Sequence, residues 1–419
     1  MFGLSFSRTK PEAAPQASVS GIDVAKIATT QDLAEFLRDG GGESFSGEQV
    51  TVSAALKVAA VNRCANILSD IAATAPIHIK DKETLEKRGV EDDVIYMLND
   101  MASDRTGSRM AAFRMRKLMD LHKIFSGNGY ARIVRGFRGR PLGLEFMDSR
   151  QTEPRRNSDR TIDYRFTRTN GQTMTLPQDE VLHVMGPTYD GVRGMSVLQD
   201  AKNQIGFSIA SEKHGSALFK NGTSIGDIIK HDKTLSKEVI EALKASLDED
   251  RDPENSGKTL ILQGGLEHEK VGMTQADAEF VLSRKLGIIE ICMFFGVPPH
   301  IAGFTENQTS YGQGVEHQGI AFVNFNVNGV YSGWEAAIKQ ALLVGNRSEF
   351  VEMDDSKLLR GDAKSRWESY KIGRETGVLN ANDILNSEGR PSRPGGDEYW
   401  SQPNAAKEMA DEPVQTTQN

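Results

Sequence analysis

Cysteine is nearly absent from this 419-residue chain: Cys64 and Cys292 are the only two. Two thiols exclude a disulfide scaffold and a four-cysteine zinc site, and they suit a reducing compartment. Long apolar runs are missing as well. The most apolar stretch, Gly287 to Pro299, carries Glu290 and is too short to span a bilayer. Met1 to Gln16 has no continuous apolar core of the kind a secretory signal needs. The expectation is a soluble protein, intracellular where it is made. Proline is scarce, 14 residues against 40 glycines, which favours turns over stiff linkers. Hydrophobic residues make up 38% and mean hydropathy is −0.44, so cores should be small and separated. At about 150 residues per domain, the length suits roughly two to four structural units.

An excess of positive charge is also lacking. Lys and Arg total 50 against 58 Asp and Glu, a net −8. Gripping nucleic acid over a whole surface needs a basic footprint, and that class is excluded. The charge is uneven, however. Arg105 to Arg168 carries 16 Lys and Arg against 6 Asp and Glu, a balance of +10 that leaves −18 elsewhere. Two readings compete: arginines of a solvated sheet paired with acids elsewhere or on a neighbouring subunit, or contacts to phosphate.

Catalytic motifs are missing where they would be most readable. Ser256-Gly257-Lys258-Thr259 has Asp252 where a phosphate-binding loop needs its first glycine, and a strand follows where a helix belongs. Gly194-Met195-Ser196-Val197-Leu198 lacks the second glycine of a nucleophile elbow. No His-Glu-x-x-His occurs, and Gly127-x-Gly129 alone is no dinucleotide fingerprint. Asp354-Asp355 is the one acidic pair that could seed a metal site, although a turn or helix cap accounts for it more simply. No catalytic residue, metal or cofactor is assigned, so the absences point to a structural or binding protein.

What is present is an α+β pattern. A helix is predicted from Ser53 to Ala73, with Val61, Cys64, Leu68 and Ile71 on one stripe. A second runs from Ser108 to Phe125 on Phe113, Leu118, Leu121 and Phe125, and Gly127-Asn128-Gly129 stops it. Strands follow at Tyr130–Val134, Leu142–Met147, Asp163–Thr167, Thr173–Leu176 and Val181–Val184, with Asn170-Gly171 a hairpin turn. Met195 to Lys220 is predicted as one long helix, thin in large apolar residues and rich in Gly, Ala and Ser. Such a helix needs closely packed neighbours. Ile225–Lys230 and Thr259–Leu262 are predicted strands around a helix capped by Ser236. A stronger helix spans Gln275 to Phe295, with Leu282, Leu286, Ile289 and Met293 in a wide apolar arc. A last long helix, Glu316 to Leu343, is a candidate for bending at Gly319, Gly329 and Gly333.

The order of these parts, with FKNGTSIGDIIK, GKTLILQGG, IIEICMFFGVPPHIAGF and ETGVLNANDILNSEGRPSRPGGDEYW, resembles the portal proteins of lambdoid-type long-tailed bacteriophages, prophages and gene transfer agents over about residues 50–400. FGVPPHIAG and the Gly-Val-Leu-Asn-Ala-Asn-Asp segment are the most specific pieces. The resemblance implies a portal fold assembled as a ring, usually of twelve subunits, at one capsid vertex, with double-stranded DNA passing through the axial channel during packaging and ejection. It divides the chain into a flexible arm (1–46), the first part of a wing (47–193), a first stem helix (194–220), a clip (221–272), a second stem helix (273–296), a tunnel loop with a long wing helix (297–361), a helical crown (362–395) and a disordered tail (396–419).

The implied partners are other copies of the chain, DNA in transit, the large terminase packaging ATPase, the major capsid protein and a head–tail connector. The implied location is the virion, and the host cytoplasm during assembly. The tunnel-loop candidates are Asn307, Gln308, Ser310, Tyr311 and Gln313, polar and uncharged. Stem-channel candidates are Lys213, Lys220, Arg284 and Lys285. Clip docking candidates are Asp248, Glu249, Asp250 and Asp252. Twelve copies would carry twelve times −8, or −96, which suits a conduit in which DNA must slide. Two other readings stay open: a metal-dependent nucleic-acid-processing enzyme built on Asp354 and Asp355, and a capsid-internal scaffold without a channel.

Overall fold

The computed structural model describes residues 42–103, 109–168, 170–220, 227–230, 267–270, 275–305, 318–356, 358 and 363–400. The chain divides into two compact units, Met1–Asn307 with Gly329–Met353, and Gln308–Asn328 with Asp354–Asn419. Among the described residues no helix is long and apolar enough to cross a membrane.

The first unit opens on a hairpin, β1 (Gly42–Glu43) with β2 (Gln49–Val50). Pairing thus begins inside the stretch expected as an arm. Next come α1 (Val52–Ala55), capped by the Thr51 side chain, and α2 (Ala59–Thr74). The predicted helix therefore breaks at Leu56–Val58, but Val61, Cys64 and Leu68 are buried on α2 as the stripe requires. Strand β3 (Ile77–Asp81) and α3 (Asp93–Asn99) follow, then β4 (Met101–Ser103), β5 (Met110–Ala111) and α4 (Ala112–Ser126). Gly127 ends α4 in the left-handed conformation at φ 79°, where a side chain would be strained.

On α4 the buried face differs from the expected one. Met115, Met119, Ile124 and Phe125 are buried together with Arg116 and Asp120, whereas Phe113 is 44% exposed. The polar pair turns inward because it finds partners there, although Arg116 Nε and Asp120 Oδ2 have none among the described residues. Arg116 donates to the Ala75 and Ala73 carbonyls at the end of α2, over 2.6 and 2.5 Å. Asp120 accepts from the Trp334 indole N–H at 3.0 Å and pairs with Lys123 at 2.5 Å.

Two three-stranded antiparallel sheets follow: β6 (Asn128–Arg135) between β7 (Pro141–Met147) and β11 (Val181–Met185), and β9 (Ile162–Thr167) between β8 (Thr152–Arg156) and β10 (Thr173–Pro177). Five of these strands are legible in the sequence. β8 is not, because Thr-Glu-Pro-Arg-Arg offers no apolar alternation. Tyr130, Met147, Tyr164, Leu176 and Val181 form the core that joins the sheets.

The predicted long helix is split at Ala201 into α5 (Val197–Asp200), capped by Ser196, and α6 (Lys202–Lys220). β12 (Asp227–Lys230) pairs with β13 (Glu267–Lys270), and α7 (Gln275–Phe295) has the predicted bounds. Ser236, Ser256–Thr259 and Thr259–Leu262 lie outside the described residues. The short α8 (Pro299–Ala302) follows. Helix α9 (Asn328–Leu342) buries Tyr331, Trp334, Ala337, Ile338 and Ala341, and β14 (Glu349–Met353) pairs with β3.

In the second unit, residues 318–322 are helical and Val323–Val327 form a π-helical turn. The irregularity in the last long helix thus falls on that turn and not at a glycine. α10 (Ala363–Glu375) and α11 (Ala381–Ser387) follow. Asn380 and Asp383 form a reciprocal capping box at the start of α11. Asn382 accepts from Arg393 N at 2.9 Å and donates to Asp397 at 2.8 Å, so ordered backbone continues past the expected start of the tail at 396.

Candidate functional site

Helices α6 and α7 pack as an antiparallel pair. Gly287 lies against Gln204, Phe207 and Ser208, and a Cβ there would approach the Gln204 amide nitrogen to 2.9 Å. Further along, His214 meets Phe280 edge-on with ring centroids 5.4 Å apart, and Gly215 faces Arg284. Small residues permit this approach, as the composition of the first helix requires. The hairpin of β1 and β2 also seats on α6: a Cβ on Gly206 would collide with Ser44.

Among the described residues one face of α7 has little cover. Leu282, Leu286 and Met293 are 58%, 59% and 72% exposed, and Val281 and Phe294 are also open. These residues include most of the arc expected to be core. Towards the C-terminal end of α7, Ile291, Cys292 and Phe295 are buried. Fully burying each exposed Leu or Met would yield about 1.5–3 kcal/mol.

The structure brings three of the predicted channel cations onto this helix pair. Lys213 is exposed and pairs with Glu48 of the β1–β2 loop at 2.6 Å. Arg284 is exposed beside Gly215, and Lys285 is half-buried on α7. Lys220 is the last residue of α6, and its side chain lies outside the described residues, as do Asn307, Gln308, Ser310, Tyr311, Gln313, Asp248, Glu249, Asp250 and Asp252. Asp354 accepts from Ser356 N at 2.9 Å, a local turn of the kind anticipated for the acidic pair. Among the described residues no group of three or more His, Cys, Asp or Glu is placed to hold a metal.

Part of the basic stretch is paired with acids within the fold. Arg150 pairs with Asp148 at 2.8 Å, Arg155 with Glu153 at 2.8 Å, and Lys117 with Asp70 at 2.5 Å. Arg140 meets Asp93, and Arg132 and Arg168 share Glu145 at 3.7 and 3.8 Å. Arg135 donates to the carbonyls of Gly139, Asp179 and Ala341. Of these acids only Asp70 and Asp93 lie outside the stretch, so these pairs leave most of its +10 balance in place. Surface pairs of this kind contribute little stability, roughly 0–1 kcal/mol each, but they remove free positive charge.

Where the chain leaves the sheets for α5, three segments are clamped together. Gly186 N donates to Gly127 O at 2.9 Å, Gly194 N to Asn128 Oδ1 at 2.8 Å, and Ser196 Oγ to Phe125 O at 2.6 Å. His183 lies 3.0 Å from the same Asn128 oxygen through Nε2, and 3.1 Å from the Tyr164 hydroxyl through Nδ1. An amide oxygen only accepts, so Nε2 carries the proton and Tyr164 donates to Nδ1. Burial lowers His183 to about 4 and raises Tyr164 to about 12, which keeps both neutral. Sequence reasoning missed this clamp. Its one visible signal was Gly-Asn-Gly at the end of a helix.

Comparison with known proteins bears on the whole arrangement. A family model described as phage portal protein matches residues 59–389. The portal protein of Enterobacteria phage HK97 is 27% identical over 362 residues, 85% of this chain and 83% of that one. The probable portal protein of Streptomyces phage phiC31 is 28% identical over 392 residues, 89% of this chain and 83% of its own. A chain in the neck of a native gene transfer agent particle, solved with twelvefold symmetry, superimposes with a TM-score of 0.54 at 19% identity, over 80% of this chain and 91% of that one.

Proposed function

The chain belongs to the phage portal protein family, and from that premise we propose that it assembles as a ring of twelve subunits through which double-stranded DNA enters and leaves a capsid. It is a portal protein with the α+β portal fold and a place in the virion. The observation that carries the ring is the bare apolar face of α7. Leu282, Leu286 and Met293 are largely exposed among the described residues, and a second copy set against the α6–α7 pair would cover them. The twelvefold neck of the similar gene transfer agent chain supports the count.

In this proposal residues 47–193 form the first part of the wing, 194–220 and 273–296 the stem, 221–272 the clip, 297–361 the tunnel loop and long wing helix, and 362–395 the crown, with 1–46 and 396–419 as arm and tail. Lys213, Lys220, Arg284 and Lys285 line the stem channel, and Asn307, Gln308, Ser310, Tyr311 and Gln313 touch DNA weakly by hydrogen bonds. Asp248, Glu249, Asp250 and Asp252 dock the large terminase and later the head–tail connector, while the wing meets the major capsid protein. Assembly takes place in the host cytoplasm, where the ring nucleates the procapsid. The chain itself performs no catalysis. The net charge of −8 supports a conduit over a DNA clamp.

Negative-stain electron microscopy with native mass spectrometry on the same sample tests this. Rings with a central hole at about twelve times 46.0 kDa are the expected result. A compact closed dimer would overturn it.

A further inference from the structure

The two cysteines are 228 residues apart in sequence, yet their Sγ atoms lie 3.8 Å from each other where α2 packs against the end of α7. They are the only thiols of the chain, and both side chains are fully buried. Cys64 donates its S–H to Cys292. Taken singly, Cys64 is a small core residue of a helix stripe; the pairing gives it a second capacity. A disulfide needs a separation of about 2.05 Å, so each sulfur would have to move about 0.9 Å, a distance that side-chain rotation can cover.

We propose that Cys64 and Cys292 form a reversible covalent staple between α2 and α7, open in a reducing medium and closed in an oxidising one. The oxidant is a low-molecular-weight disulfide. The Cys292 thiolate attacks one of its sulfurs, the small S–S bond breaks, and one small thiolate leaves and takes up a proton. Cys64 then gives up its proton to solvent and attacks the Cys292 sulfur of the mixed disulfide, expelling the second small thiol. Two protein thiols are oxidised and one small disulfide is reduced to two thiols.

The order of attack follows from the surroundings. The hydrogen bond from Cys64 lowers Cys292, while that same bond and burial push Cys64 up. On α7 the neighbours of Cys292, Met293 and Phe294, face solvent, whereas Cys64 sits among buried Val61, Ala65 and Leu68. Entry therefore runs through a local opening at the end of α7, and the reaction is slow compared with an exposed thiol. Once closed, the bond ties α7, whose outer face carries the proposed subunit contact, to the central helix of the first unit.

The full-length chain, prepared with reductant, is transferred to glutathione disulfide at neutral pH and sampled over hours. Titratable thiols after denaturation are expected to fall from two per chain to none. The intact mass should drop by about 2 Da with no glutathione adduct. Proteolysis should yield one linked peptide pair containing Cys64 and Cys292, and dithiothreitol should restore both thiols. Cys64→Ser should end instead as a glutathione adduct or unchanged. If that variant does not fold, the wild-type mass and thiol count decide alone. Two thiols still titratable in the folded, oxidant-treated protein, a stable adduct on wild-type Cys292, or links between chains only would each overturn the staple.

Discussion

Asn128 and Gly194, 66 residues apart, hold each other through two hydrogen bonds: Gly194 N donates to Asn128 Oδ1 at 2.8 Å, and Asn128 Nδ2 donates to Gly194 O at 3.3 Å. The contact is close enough that neither Gly127, between α4 and β6, nor Gly194, between β11 and α5, has room for a side chain. A Cβ on Gly194 would collide with the Gly127 carbonyl and come within 2.7 Å of Gly186 N. Gly194→Ala should therefore lower unfolding free energy by about 1–3 kcal/mol in urea titration. Gly329→Ala is the counterpart. That glycine stands inside α9 with nothing within 4 Å of its missing Cβ, and the substitution should stabilise by about 0.5–1 kcal/mol.

His183 predicts a pH dependence. Burial holds it at about 4, below its ordinary value of 6.5. Between those values the unfolded chain binds a proton that the folded chain does not. Stability from this residue is full above pH 6.5 and falls as pH drops towards 4, by about 3 kcal/mol at most. His122, lowered by burial although the Asp148 carboxylate pulls it up, acts with the same sign. Glu335 is raised by burial and acts oppositely, losing stability as pH rises above the ordinary carboxylate range. The difference between wild type and His183→Gln isolates the ring. Denaturant titrations at pH 7 and pH 4.5 should show a smaller loss in the variant.

The helix Gln275–Phe295 and five strands were legible because their apolar spacing or turn residues are local signals. The inward face of α4 was not. Arg116 and Asp120 read as surface residues, and only Ala73, Ala75 and Trp334, contributed by α2, the segment after it and α9, make their burial tolerable. The arc on α7 was legible as apolar, but sequence alone did not separate core from subunit contact, since both are dry. Asn128 escaped notice for a related reason. A helix-stop asparagine looks local, while its partners His183 and Gly194 come from 55 and 66 residues away.

Trp334 predicts a cost confined to one hydrogen bond. Its indole N–H meets the fully buried Asp120 carboxylate, whose second oxygen has no partner among the described residues. Trp334→Phe removes the donor and leaves the carboxylate paired with Lys123. Loss of a bond to a buried charge, with the ring volume shrinking, should cost about 2–4 kcal/mol. Urea titration of the variant measures it. Asp120→Asn should recover part of the loss in the double variant, because the uncompensated charge is gone.

Charge reversal on the stem tests the proposed bore. Lys213→Glu removes an exposed pair with Glu48 and should change stability by no more than about 1 kcal/mol. Combined with Lys220→Glu, it places two acids per subunit along the stem. If these positions face DNA, packaging yield in a complementation assay should fall while the ring still forms. Unchanged packaging would remove both lysines from the channel.

The apolar face of α7 separates folding from assembly. Leu286 and Met293 are 59% and 72% exposed in the single chain, so a charge there costs the folded protomer little, within about 0.5 kcal/mol. In a ring the same side chains are repeated in every subunit contact. Removing about 1.5–3 kcal/mol of burial for each corresponds to roughly a tenfold to more than a hundredfold loss in pairwise association. Leu286→Glu and Met293→Glu should each keep the wild-type melting midpoint as monomers, yet shift the population from rings to monomers in native mass spectrometry. Leu286→Ala, which shrinks the contact without adding charge, should fall between. A variant that melts normally and still forms complete rings would place this face outside the subunit contact, and the cover for Leu282, Leu286 and Met293 would have to come from another partner.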